Sequence, residues 1–152
     1  MKSKALVEQG SRVEVKEMER SWVLVFDPGE EVIEGLEKFA RQQGLTAARF
    51  TAIGAFQDAV LGFYERERKD YHRIPLEEQA EVLALTGNII GFQGPPKVHA
   101  HVVLGKRDCT AHGGHLLEAH VRPTLEVMLV EAPRDLHRRY DPATGLALIA
   151  AD

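Results

Sequence analysis

The spacing of apolar and polar positions changes period twice along the chain. The stretch "RVEVKEM" (12–18) alternates with a period of two, and "WVLVF" (22–26) follows after a short polar corner, which predicts an N-terminal hairpin. From Asp27 the period lengthens. In "DPGEEVIEGLEKFARQQG", Val32, Ile33, Leu36, Phe39 and Ala40 recur at helical spacing, predicting a helix that lays this stripe on a sheet. Asp27 is its predicted N-cap, Pro28 its first position, Glu30 and Glu31 its acidic first turn, and Gly44 its stop.

After Gly44 the strand period returns. "AARFTAIGAF" and "AVLGFYER" read as two short strands separated by "QD". In "YHRIPLEEQAEVLALTGNII", Pro75 and the acids after it interrupt strand character, which resumes at Val82. "GFQGPPK" reads as a loop; "VHAHVVL", "HLLEAHV", "LEVMLVEA" and, after the turn "DPATG", "LALIA" read as further strands. Many strands with hairpin-length connections and one strong helix predict an α+β domain, mainly antiparallel sheet with one principal helix packed on it, and they exclude a doubly wound parallel sheet. Apolar strand positions such as Val102, Val127 and Leu129 then need cover from either that helix or another subunit, because one helix covers only one side.

Composition narrows the setting. At 152 residues, with no repeat and no Pro/Gly/Ser linker, 1–152 reads as a single domain. The single cysteine, Cys109, excludes an internal disulfide and a cysteine-rich zinc cluster. The N-terminal stretch lacks the apolar run of a signal peptide, and no span reaches the ~18 apolar residues of a membrane helix, so a cytoplasmic location away from the membrane is expected. A net charge of −4 gives the chain no overall positive field for a phosphate backbone. The basic runs "ERERK" (65–69) and "LHRR" (136–139) read as solvated surface.

The chemistry concentrates between Lys97 and Leu116, which hold four of the seven histidines. In "VHAHVVL" the strand period puts Val98, Ala100, Val102 and Leu104 on one face and His99, His101 and Val103 on the other. Two imidazoles two residues apart can converge on one ion at about 2.0–2.1 Å from each. The turn "KRDCTAHGG" lets the next strand return alongside, with Gly113 and Gly114 leaving room for close backbone approach before His115, the candidate third ligand. Three imidazoles suit zinc first, with other divalent transition metals as substitutes. His112 competes for the third place, His120 lies near enough in sequence to join, His72 and His137 read as surface, and Cys109 as a plain thiol in a polar turn. The glutamate that a cupin pattern requires a few residues after His-x-His is missing. A zinc-dependent enzyme would need a carboxylate base, for which Glu118 and Glu126 are the candidates. No nucleophile elbow, phosphate-cradling loop or dinucleotide fingerprint occurs.

The ordered set "ARFTAIGAFQDAVLGFY" (48–64), "TGNI" (86–89), "KVHAHVVL" (97–104) and "GGHLLEAHVRPTLEVML" (113–129) resembles the PPC domain shared by plants and prokaryotes, over about 20–133. In plants that domain accompanies AT-hook peptides in DNA-binding regulators, whereas the prokaryotic members are mostly the bare domain. The resemblance implies an α+β subunit assembled as a homotrimer, with a metal held by the histidines matching His99, His101 and His115. It also carries a DNA-binding label. Here that label lacks its usual support, since the chain is acidic and contains no Arg-Gly-Arg-Pro AT-hook.

Overall fold

The computed structural model describes residues 20–150. Its elements run β1 (Ser21–Phe26), α1 (Val32–Gln43), β2 (Ala47–Glu65), β3 (Asp70–Leu76), β4 (Ala80–Gly91), β5 (Pro96–Gly105), β6 (Ala111–Glu131), β7 (His137–Asp141) and β8 (Leu146–Ala150). Every pairing between these strands is antiparallel, as the α+β reading requires. The predicted strand at 12–18 lies outside the described residues.

Two strands are far longer than predicted. β2 runs unbroken through Gln57 and Asp58, and β6 runs unbroken through Arg122 and Pro123. In both, the interruption in the sequence marks a change of partner on one edge. β2 pairs with β4 as far as Phe56 and with β3 from Ala59. β6 pairs with β5 over Ala111 to His115 and with β1 over Leu125 to Val130. The opposite edges pair with each other from Ala48↔Glu131 to Gly62↔His115, and Pro123, which has no N–H to give, falls at a shift in that ladder. The circuit β2, β4, β5, β6 therefore closes on itself, and β1 and β3 extend it at the flanks. Closure removes the open edges that those four strands would otherwise present.

The helix begins later than the capping pattern predicts. Gly29 N–H donates to the Val121 carbonyl at 2.8 Å and Val121 N–H donates to the Glu30 carbonyl at 3.0 Å, so a turn at Pro28–Gly29 is tied to β6 and 27–31 does not join the helix. Glu31 replaces Asp27 as the N-cap. One of its carboxylate oxygens accepts the Glu34 N–H at 2.6 Å, while the other accepts the Ala119 N–H of β6 at 3.1 Å. Gly44, at φ 64°, ends the helix as predicted. Val32, Leu36 and Ala40 are completely buried, and Ile33 and Phe39 partly so. A buried Val or Leu contributes roughly 1.5–3 kcal/mol and a cap typically about 1, so this face fixes the helix more firmly than its ends do.

Val102, Val127 and Leu129, the positions in need of cover, are buried within the single chain, in one core cluster with the helix stripe, Phe50, Phe56 and Leu125. The apolar side chains left outside are different ones. Val23 and Val25 of β1, Met128 of β6 and Ile53 of β2 stand 55–64% exposed in neighbouring cross-strand rows. The chain also forms a small hairpin, β7–β8. β8 is the predicted "LALIA", but β7 is built from the basic run "LHRR" and its continuation to Asp141, and that run reads from sequence as bare surface.

Gly54 is the bend point of β2. Its φ of 150° is reached readily by glycine alone, and a Cβ there would collide with the Thr124 carbonyl oxygen and lie 2.8 Å from the Leu125 Cα. Gly54→Ala is expected to lower stability by about 3 kcal/mol or more, read from urea unfolding, whereas Gly44→Ala, with open space around it, should cost only about 1–2 kcal/mol. Equal effects at the two positions would show that the close approach of β2 to β6 at Gly54 tolerates a side chain.

Candidate metal centre

The register of three strands assembles the histidines. β5 presents His99 and His101 on one face, with Ala100, Val102 and Leu104 buried on the other. Across the β5–β6 ladder His101 stands opposite His115, and across β4–β5 Asn88 stands opposite His99. The helix pins the start of β5: one Glu37 carboxylate oxygen accepts the Val98 N–H at 3.3 Å, and the other meets Lys97 Nζ at 3.1 Å. His99, His101 and His115 each offer a ring nitrogen such that the three lie within 4.8 Å of one another. Their ring centroids are 5.1, 5.2 and 5.7 Å apart.

Glycines make this approach possible. A Cβ on Gly113 would sit 3.2 Å from the Val102 carbonyl oxygen, and one on Gly114 would sit 3.1 Å from that of Gly62. Gly62, opposite His115, leaves space for Tyr71, whose ring stacks on His115 at 4.4 Å with its hydroxyl 3.4 Å from Nδ1. The three histidines line a cavity of about 930 Å³, whose wall also includes Phe63, Val103, Leu148 and Arg138.

Burial first, then the neighbouring charges of Arg138 and His101, lowers the pKa of His99 below its ordinary 6.5. Burial, with His99 and His101 beside it, lowers that of His115 to about 4. Both rings are therefore neutral at pH 7, which is the form that ligates a metal. The donor set fits a divalent transition ion: three imidazoles from two adjacent strands, already gathered, with no acid among the described residues lining the cavity.

The other candidates lie elsewhere. His112 is exposed at the start of β6, 3.4 Å from Thr110 Oγ1. His120 lies farther along β6, where its Nδ1 is 2.7 Å from Asp58. His72 is exposed on β3, His137 is on β7, and Cys109 is an exposed free thiol in the β5–β6 turn. Glu118 is 3.6 Å from Arg73, and Glu126 is exposed between Val25 and Ile53 on the outer face; neither lines the histidine cavity. Their place on β6, beyond its His115 end, carries them away from it. Tyr71 and Arg138 do line it, and sequence reasoning passed over both. Tyr71 could have been found from the hairpin that places it opposite Tyr64, and Arg138 from the turn "DPATG", because a strand after such a turn asks for one before it.

A closed antiparallel barrel with one packed helix and a triple-histidine cluster open to a cavity defines a small β-barrel protein with a preformed candidate metal centre. The chain belongs to the Plants and Prokaryotes Conserved (PCC) domain family, also written PPC, whose model matches residues 13–133. It is similar to the plant- and prokaryote-conserved protein of Pyrococcus horikoshii, with 32% identity and a TM-score of 0.84 over 89% of this chain and 94% of that one. It is similar also to a metal-containing protein of Archaeoglobus fulgidus, with 35% identity and a TM-score of 0.82 over 93% and 100%. A curated relative, the bifunctional protein GlmU of Synechococcus sp. (strain JA-3-3Ab), is 34% identical over 121 residues, which is 78% of this chain but 18% of the length of that protein.

The Asp58–His120 pair gives a pH signature separate from the cluster. Its hydrogen bond to Asp58 raises the pKa of His120 above 6.5, so the stabilisation is complete below 6.5 and is lost as pH rises through the raised value. Burial pushes Asp58 upward, but hydrogen bonds from His120 and Gln57 outweigh this and leave it below 3.8, so its share fades only in acid. Both side chains are about a third exposed, so the effect is small, about 1 kcal/mol at most. Asp58→Asn should therefore lower Tm by a few degrees near pH 5.5 and by less near pH 8.5. A deficit that is the same at both pH values would rule out the pair as its source.

Proposed function

We propose that this PCC-domain chain is a metal-binding protein in which His99, His101 and His115 hold one divalent transition ion, zinc first by donor chemistry. The observation that carries the reading is the convergence of the three imidazoles to within 4.8 Å on two adjacent strands. Two of them are held neutral by burial and by their neighbours. Bound there, such an ion supplies a Lewis acid with coordination positions left over for a ligand. The chain's own part is to keep the ligand nitrogens gathered, to fix His115 beneath Tyr71, and to surround the site with apolar wall. Metal content in the similar archaeal protein, named metal-containing, favours the same reading.

DNA binding, the label the family resemblance brings, finds little support in a chain of net charge −4. We propose further that the chain works as a homotrimer in the cytoplasm. The exposed row Val23, Val25, Ile53 and Met128 favours burial against another copy, and the threefold closure comes from the family resemblance.

Native mass spectrometry of the purified protein tests both parts. The expected species is three chains carrying three ions, and His99→Ala or His115→Ala should lose the ions while keeping the oligomer. A metal-free mass under metal-replete conditions, or full occupancy in either variant, would contradict the ligand set; a single-chain mass at micromolar concentration would contradict the assembly.

A further inference from the structure

Among the described residues, the cavity beside the histidines contains a cation with no anion to match it. Arg138 of β7 is half-buried; its Nη2 donates to Asn88 Oδ1 at 2.6 Å and its Nη1 to the Ala147 carbonyl at 2.7 Å. Both acceptors are neutral, and among the described residues Arg138 makes no ion pair. Burial lowers its pKa, yet a guanidinium stays charged at any physiological pH. Asn88 stands directly opposite His99, so the charge is anchored one cross-strand pair from the histidine cluster, and it lines the same cavity.

A guanidinium has five N–H donors, and two of Arg138's are used. The remaining three suffice for the parallel pair of hydrogen bonds that a carboxylate accepts. Around it the cavity wall is apolar and exposed: Phe63 is 67% exposed, Leu148 43% and Val103 39%. Among the described residues the cavity's other cation, Lys97, is already tied to Glu37, which leaves one positive charge without an acidic partner and favours a monoanion over phosphate.

We infer that this cavity is a binding site for a small carboxylic acid with an apolar chain, its carboxylate paired with Arg138 and its chain laid against Phe63, Val103 and Leu148. The inference concerns the same cavity as the metal reading but does not depend on an ion being bound, because Arg138 and the apolar wall belong to the chain itself.

Isothermal titration calorimetry with sodium hexanoate, 1-hexanol and inorganic phosphate, on the full chain as purified and after chelation, tests it. Hexanoate should bind saturably in both preparations and at least tenfold more tightly than hexanol. Arg138→Gln should bring hexanoate down to the level of hexanol, and Leu148→Ser, which removes apolar wall without adding a charge beside Arg138, should weaken both. Circular dichroism confirms that each variant is folded; were Arg138→Gln to unfold, unchanged binding of both hexanoate and hexanol in Leu148→Ser would still overturn the inference. Phosphate binding tighter than hexanoate, hexanoate binding that survives Arg138→Gln in folded protein, or no saturable binding to either preparation would overturn the inference. Because the chelated protein is measured as well, loss of the metal reading and loss of this one are distinguishable.

Discussion

The antiparallel seam between β2 and β6 is the constraint on which the other features depend. It runs from Ala48↔Glu131 at one end to Gly62↔His115 at the other, and it joins the two longest strands into the seam that closes the barrel. At the Glu131 end the seam is secured by charge: the buried Glu131 carboxylate accepts from Arg20 Nε at 2.9 Å and from Nη2 at 3.0 Å, tying the start of β1 to the end of β6. Near its middle β2 bends at Gly54 over the Leu125 backbone. At the other end the seam delivers His115. A slip of one residue anywhere along it would turn His115 toward the core and bring a buried side chain such as Leu116 out.

The candidate centre is thus a product of register more than of local sequence. His99 and His101 are brought together by the strand period alone, but His115 joins them only because β6 is held by β2 on one edge and by β5 on the other. The same arrangement that buries the site also tunes it. Partial burial of His99 and His115 discourages their protonated forms, and both are further discouraged by their neighbours. A cluster that repels its own protonation is prepared for a different cation.

Much of this was legible in the sequence, and the failures share a cause. The helical stripe, the Gly44 stop, the two-faced β5 strand and its His99–His101 pair follow from periodicity and from glycine's small size, which act over a few residues, and the Gly113–Gly114 pair points to His115 as their companion. What was misread depended on distant partners. The breaks at "QD" and "RPT" looked like strand ends but are places where one edge changes neighbour, which single-chain periodicity does not encode. The Asp27 cap was displaced because Gly29 and Glu30 are hydrogen-bonded to Val121 of β6. "LHRR" looked like solvated charge, yet Arg138 turns inward to Asn88 of β4, fifty residues away in sequence. Glu118 and Glu126 follow His115 in sequence, but the sequence does not say which stretch of a 21-residue strand borders the cavity.

The claim that the three imidazoles are ligands is tested most directly by X-ray absorption at the metal edge of the protein as purified. Three nitrogen scatterers at about 2.0–2.1 Å, with the multiple scattering of imidazole rings, are the predicted first shell, and they should disappear in His115→Ala. A sulfur scatterer at about 2.3 Å, or a shell of oxygens with no imidazole signature, would contradict it.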